Sequence, residues 1–168
     1  MKLAVGDVVV YPALGVGRVA AREKRVVFGA KQEVVVLELA DGLSVTLPMQ
    51  LARELLRPLV SEAGLSRVQE TLREDGTLSG DVWLKRLNQV QAKLIGGDPL
   101  QLAEIVRDGA RRQRRLTANG TNSKLSIREK GICVKARQHL SREIGLARGL
   151  DPAEVDAWID EQLAPTGS

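Results

Sequence analysis

Glu33-Val34-Val35-Val36-Leu37-Glu38-Leu39, followed by Asp41-Gly42 and then Ser44-Val45-Thr46-Leu47-Pro48, decides the first half of the fold. The two runs are dense in β-branched residues, which suit a pleated and half-buried surface, and Asp-Gly between such runs is a two-residue hairpin signal. Toward the N-terminus, Asp7-Val8-Val9-Val10-Tyr11 reads as a strand stopped by Pro12. Gly17 to Glu23 reads as a second strand, extended by Arg25-Val26-Val27-Phe28, with Gly29-Ala30-Lys31-Gln32 expected to turn. Gly15-Val16-Gly17 lacks the third glycine and the helix of a dinucleotide-binding turn, and reads as a tight barrel turn. Four or five short strands in about fifty residues predict a small, strongly bent barrel or meander rather than a parallel sheet.

After Gln50 the period becomes helical. Leu51 to Leu56 is expected to form a short turn. Leu65, Val68 and Leu72 lie at helical spacing behind Ser61. Asp81 is expected to cap a helix through Leu94 that ends at Gly96-Gly97, and Asp98-Pro99 opens the next, toward Arg115. Ser126-Ile127-Arg128-Glu129 has capping-box spacing, Gly149 stops the helix it opens, and Asp151-Pro152 begins the last. The expected fold is therefore α+β: a β module over 1–60, then an all-α bundle of about five helices over 61–168.

Charge is unevenly spread along the 168 residues. The chain carries +4 in all, yet residues 107–148 hold 12 Lys/Arg against 3 Asp/Glu, a local +9, and residues 149–168 hold 5 acids and no base. Such a block suits a polyanion-facing surface, and equally a solvated helical face beside an acidic tail. Aromatics are only 2%, too few for a stacking platform on single strands. Neither a membrane-spanning run nor a leader-like apolar stretch is present, and Cys133 alone allows no internal disulfide. A soluble, cytoplasmic protein is expected.

Catalytic and metal chemistry are poorly served. Cys133 and His139 are six apart on one predicted helix, about 240° around its axis, so they form no nucleophile–base pair. Ligands for zinc are too few. No enzyme activity, cofactor, metal or small-molecule ligand is expected, and Cys133 reads as a small core residue. Trp83 stands at a helix start with Lys85 and Arg86 just after it. Position alone fits a core tryptophan; the flanking cations fit a wedge at a base-pair step with phosphate contacts beside it. Trp158, in register with Val155, Ile159 and Leu163, reads as packing.

From about Val5 to Leu146 the chain resembles the CarD/CdnL family of bacterial transcription regulators. The front of the resemblance is Val5-Gly6-Asp7-Val8-Val9-Val10-Tyr11-Pro12, Gly15-Val16-Gly17, Glu33 to Leu37 and Leu47-Pro48. The rear is Trp83 with two following cations, Gly97-Asp98-Pro99, Ala103 to Asp108, and Glu129-Lys130 with Lys135-Ala136-Arg137-Gln138. The resemblance implies a Tudor-like N-terminal barrel that docks on the β subunit of RNA polymerase. It further implies a helical domain that contacts promoter DNA at the upstream edge of the melting bubble. Trp83 would be the minor-groove wedge that stabilises the open complex, with Lys85, Arg86 and Lys130 on phosphates and Arg25 on the polymerase-binding edge.

Three departures from the family pattern bear on affinity. Thr46 replaces a polymerase-contacting arginine, Asn88 stands at an often cationic position, and the loop from Leu116 to Leu125 is longer than usual. The expectation is a monomeric, non-enzymatic transcription factor, nucleoid-associated through the polymerase. Its competitor is a polymerase-binding interaction module whose basic helices bind no DNA.

Overall fold

The computed structural model describes residues 2–12, 14–75, 83–118 and 126–165, with the main chain alone at 83 and 84. The chain divides into two compact units, residues 1–59 and 60–168.

The first unit is a four-stranded antiparallel half-barrel of β1 (Val8–Tyr11), β2 (Gly15–Val27), β3 (Ala30–Leu39) and β4 (Ser44–Pro48), ordered β1-β2-β3-β4. Val35, Leu37 and Leu39 alternate inward along β3, as a strand with one buried face requires. Val35 and Leu37, with Leu3, Val9, Val19 and Leu47, form a core that helix α1 (Met49–Leu55) completes through Met49 and Ala52. Leu51 to Leu55, expected with Leu56 to form only a short turn, thus belong to a helix, because Met49 and Ala52 have apolar surface to bury there. Val10 and Arg57 exchange main-chain bonds at 2.8 and 3.1 Å, which ties β1 to the segment that follows α1.

Two turns differ from expectation. Gly15-Val16-Gly17 is not a turn but the start of β2, paired with β1. A Cβ on Gly17 would lie 2.9 Å from Leu39 Cδ2 and 3.1 Å from the Glu38 carbonyl oxygen, so the close approach of β3 favours glycine there. The β2–β3 turn is Phe28-Gly29 alone, between the paired Val27 and Ala30, with φ of 51° and 79°. Two successive positive φ angles match the right-handed twist of a two-residue hairpin. Lys31 and Gln32, expected to turn, are in strand.

The second unit comprises α2 (Glu62–Arg73), α3 (Trp83–Gly96), α4 (Pro99–Ala118), α5 (Ile127–Arg148) and α6 (Pro152–Leu163), the bundle of about five helices expected. Leu65, Val68 and Leu72 of α2, Leu102, Ile105 and Val106 of α4, Ala136, Leu140 and Ile144 of α5 and Val155, Ile159 and Leu163 of α6 share one core. These recur at intervals of three and four, the spacing that puts an apolar stripe on one helical face. Ser61 and Ser126 cap α2 and α5 through their hydroxyls, and Asp151 with Glu154 forms a capping box on α6. The expected Asp81 cap and most of the long 116–125 loop lie outside the described residues. Trp158 packs against the core as expected, with the Arg148 guanidinium 5.3 Å from its ring centre. No helix among the described residues is long and apolar enough to cross a membrane.

Candidate nucleic-acid interface

Trp83 is the first residue of α3; its side chain lies outside the described residues. Of the apolar face behind it, Leu87 and Leu94 are buried and Val90 is partly buried against the core. Lys85 is exposed, and Asn88 is exposed on the same helix. Arg86 turns inward.

Arg86 Nη2 donates to Glu129 Oε1 at 2.9 Å. Arg112 of α4 approaches the other oxygen, Oε2, at 3.5 Å. Glu129 is 8% exposed and belongs to the first turn of α5, where its own main-chain N–H donates to the Ser126 hydroxyl at 3.2 Å. A carboxylate in a first helical turn is favoured by the helix dipole, and its bonds to guanidinium are charge-assisted. One acid therefore fastens the opening turns of α3 and α5 and the middle of α4. Lys130, the next residue, is exposed and makes no ion pair among the described residues. Nothing in the sequence marked Glu129 as this junction; the only signal was its capping-box position.

Beneath the junction a cleft of about 140 Å³ is lined by Arg86, Val90, Ile105, Arg112, Glu129 and Cys133. Burial, with Glu129 and Asp108 adding to it, pushes the Cys133 thiol up to about 11. It is a protonated packing group, and Gly109 of α4 lies so close that a Cβ there would meet Cys133 Sγ at 2.5 Å. His139 is buried at 8% exposure.

Most of the arginines of the +9 block serve the fold. Arg107 is 5% exposed and pairs with Glu74 and Asp108, both at 2.9 Å. Arg111 donates to the Leu163 carbonyl at 2.6 Å and the Leu72 carbonyl at 3.2 Å, and Arg114 to Leu163 at 3.0 Å. They close the carbonyl ends of α2 and α6, which no intrahelical donor reaches. Burial and then the neighbouring Arg114 lower the Arg111 pKa. Arg137 bonds Asp156 at 2.6 Å and Asp160 at 2.7 Å. Burial lowers the Arg137 pKa, but the hydrogen bonds it donates to Asp160 and Asp156 outweigh it and leave it raised. Acids of the C-terminal segment thus neutralise part of the block. Arg115 on α4 and Arg128, Lys130, Lys135 and Arg142 on α5 are exposed, with no hydrogen-bonded or ionic side-chain partner among the described residues.

In the β unit, Arg25 is exposed on β2 opposite Gln32, and its Nε donates to Glu23 Oε2 at 2.7 Å. Thr46 is exposed on β4 opposite Val36, and β4 pairs with no further strand among the described residues.

Two family models match this chain. The CarD-like/TRCF RID domain model covers residues 3–60, and the CarD, C-terminal domain model covers residues 67–160.

Proposed function

This chain belongs to the CarD family, and from that premise we propose a transcription factor whose β unit binds the polymerase β subunit and whose helical unit binds promoter DNA. The match to the CarD-like/TRCF RID domain supports the coarser statement, an RNA polymerase-interacting transcription factor. In the fuller reading the helical unit sits at the upstream edge of the melting bubble. Trp83 inserts there into the minor groove, Lys85 and Lys130 contact phosphate, and Arg25 lies on the polymerase-binding edge. No reaction is catalysed and the chain acts as a monomer.

The observation that carries this reading is the Arg86–Glu129 bond. It anchors the turn that opens with Trp83 to the turn that bears exposed Lys130. A wedge needs a rigid base, since it offsets the cost of unstacking, a few kcal/mol per step, only if it is held in place. Arg86 acts as that anchor, with Lys85 and Lys130 left as the phosphate contacts. Among the described residues the outer edge of β4, which carries Thr46, pairs with no further strand and gives an extended partner strand a row of main-chain groups to bond; Arg25, on β2 beyond the intervening β3, would contact the same partner separately.

The internal pairing of so many arginines favours a second reading, a polymerase-binding module that leaves DNA alone. Polymerase capture and fork-junction DNA binding by the full chain, each measured for wild type, Arg25→Glu and Lys130→Ala, separate the two. Capture lost with Arg25→Glu and DNA affinity lost with Lys130→Ala support the proposal. DNA binding absent from wild type leaves the second reading.

A further inference from the structure

Helix α5 contains only two acids in its 22 residues, Glu129 and Glu143, and both are buried. Glu129 holds Arg86, and Glu143 accepts the Val60 main-chain N–H at 2.8 Å. Its outer face is left without a carboxylate. On that face Arg128, Lys135 and Arg142 recur at intervals of seven, all exposed and all without a hydrogen-bonded or ionic side-chain partner among the described residues.

Seven residues are nearly two full turns, so successive members of this row are offset by only about 20° and stand about 10.5 Å apart along the helix. The row is straight and about 21 Å long. Gln138 and Gly131 lie beside it and are exposed; a Cβ on Gly131 would touch nothing, so the helix surface is open to close approach. Lys130 stands on the opposite margin of the exposed face, about 140° around the axis from Lys135. The row is therefore a tract apart from the Trp83, Lys85 and Lys130 candidates.

We infer that Arg128, Lys135 and Arg142 form a second phosphate-contacting surface, along which α5 lies against the backbone of duplex DNA beside the wedge. The inference rests on the proposed DNA reading of the helical unit and extends it. A row about 21 Å long spans several phosphates, since each strand of a duplex carries one per 3.4 Å of axial rise. Three like charges in line, with no acid between them, repel one another in the free protein, and a polyanion relieves that repulsion. A protein partner is the poorer fit, because the row offers no aromatic anchor of the kind that dominates protein interfaces.

The test measures the affinity of the full chain for fork-junction duplex DNA against salt, from about 50 to 200 mM. It compares wild type with Arg128→Gln/Lys135→Gln/Arg142→Gln and with a control triple in the β unit, Lys2→Gln/Lys24→Gln/Lys31→Gln. The inference expects the α5 triple to flatten the log–log slope by about 2.7, at about 0.9 per phosphate released, with unchanged melting temperature. The control triple should leave the slope in place. An α5 triple with the wild-type slope overturns the inference and leaves the wedge reading standing. Equal flattening by both triples reduces the effect to net charge and also overturns it. So does an α5 triple that binds DNA normally but loses polymerase, which assigns the row to a protein surface. Wild type without DNA affinity removes the wedge reading and this inference together.

Discussion

Arg86 Nη2 and Glu129 Oε1 are 2.9 Å apart, with 19% and 10% of their side chains exposed, and that bond joins the opening turns of α3 and α5. A charge-assisted bond this sheltered costs stability when one partner is removed, because the other is left under-bonded. Arg86→Ala and Glu129→Gln are each expected to destabilise the chain by about 1–3 kcal/mol. The double variant should lose less than the sum. Lys130→Ala should fall within about 0.5 kcal/mol of wild type, as an exposed residue outside any network. Urea unfolding of wild type and the four variants checks this; an Arg86→Ala variant as stable as wild type removes Arg86 from the framework.

Gly109 and Cys133 set the approach of α4 to α5. A methyl group at 109 meets Cys133 Sγ at 2.5 Å, whereas the Cys133 Cβ lies at 3.4 Å. Overpacking of this kind costs about 1–3 kcal/mol, more than the roughly 1 kcal/mol that alanine gains over glycine in a helix. Gly109→Ala alone should therefore lower the melting temperature, and in a Cys133→Ala background it should be neutral or stabilising. A loss of equal size in both backgrounds would mean that sulfur is not the obstacle.

Cys133 also predicts an alkaline dependence. Its thiol goes from 9.0 in the open chain to about 11 in the fold, so above pH 9 the unfolded chain releases a proton that the folded chain keeps. The associated stability is complete below pH 9 and declines as pH rises toward 11, by no more than about 3 kcal/mol. Melting curves across that window, for wild type and Cys133→Ala, should diverge, with the variant losing less. The folded thiol should also resist alkylation at pH 8 until denaturant is added.

Phe28 is fully exposed and holds φ at 51°, a left-handed conformation that costs a residue with a side chain about 1–2 kcal/mol. Asparagine tolerates that region and is favoured before glycine in a two-residue hairpin loop. Phe28→Asn should raise stability by about 1 kcal/mol, read from the urea midpoint. Unchanged or lower stability would show that the phenyl ring contributes more than the turn conformation costs.

What was legible in the sequence follows from the range of each interaction. The caps at Ser61, Ser126 and Asp151 act within four residues, and each lies where local chemistry puts it. Asp41-Gly42 does mark the β3–β4 turn, but the loop is wider than the two-residue hairpin it signals, since Leu39 bonds Leu43 across it and Glu38 pairs with Ser44. The Phe28-Gly29 turn was not legible, because phenylalanine is no turn former and the long β2–β3 pairing overrides its preference. The arginines were the larger surprise. Arg107 and Arg111 reach partners more than thirty residues away, at Glu74, Leu72 and Leu163, so a count of charges along the chain could not separate fold-closing cations from exposed ones. Glu129 was hidden for the same reason, since its two arginine partners come from different helices.

The most direct test of the proposed function is the lifetime of the open promoter complex formed by polymerase with wild type or Trp83→Ala, with melting temperature measured on the same preparations. A residue that favours the opened duplex by even about 1.4 kcal/mol shifts the open/closed ratio tenfold. The proposal predicts near-native melting of Trp83→Ala and an open complex that decays as fast as without the factor. A stability loss of the roughly 3–5 kcal/mol expected for a truncated core tryptophan, seen as a large fall in melting temperature, or a variant that prolongs the open complex as well as wild type does, would contradict it.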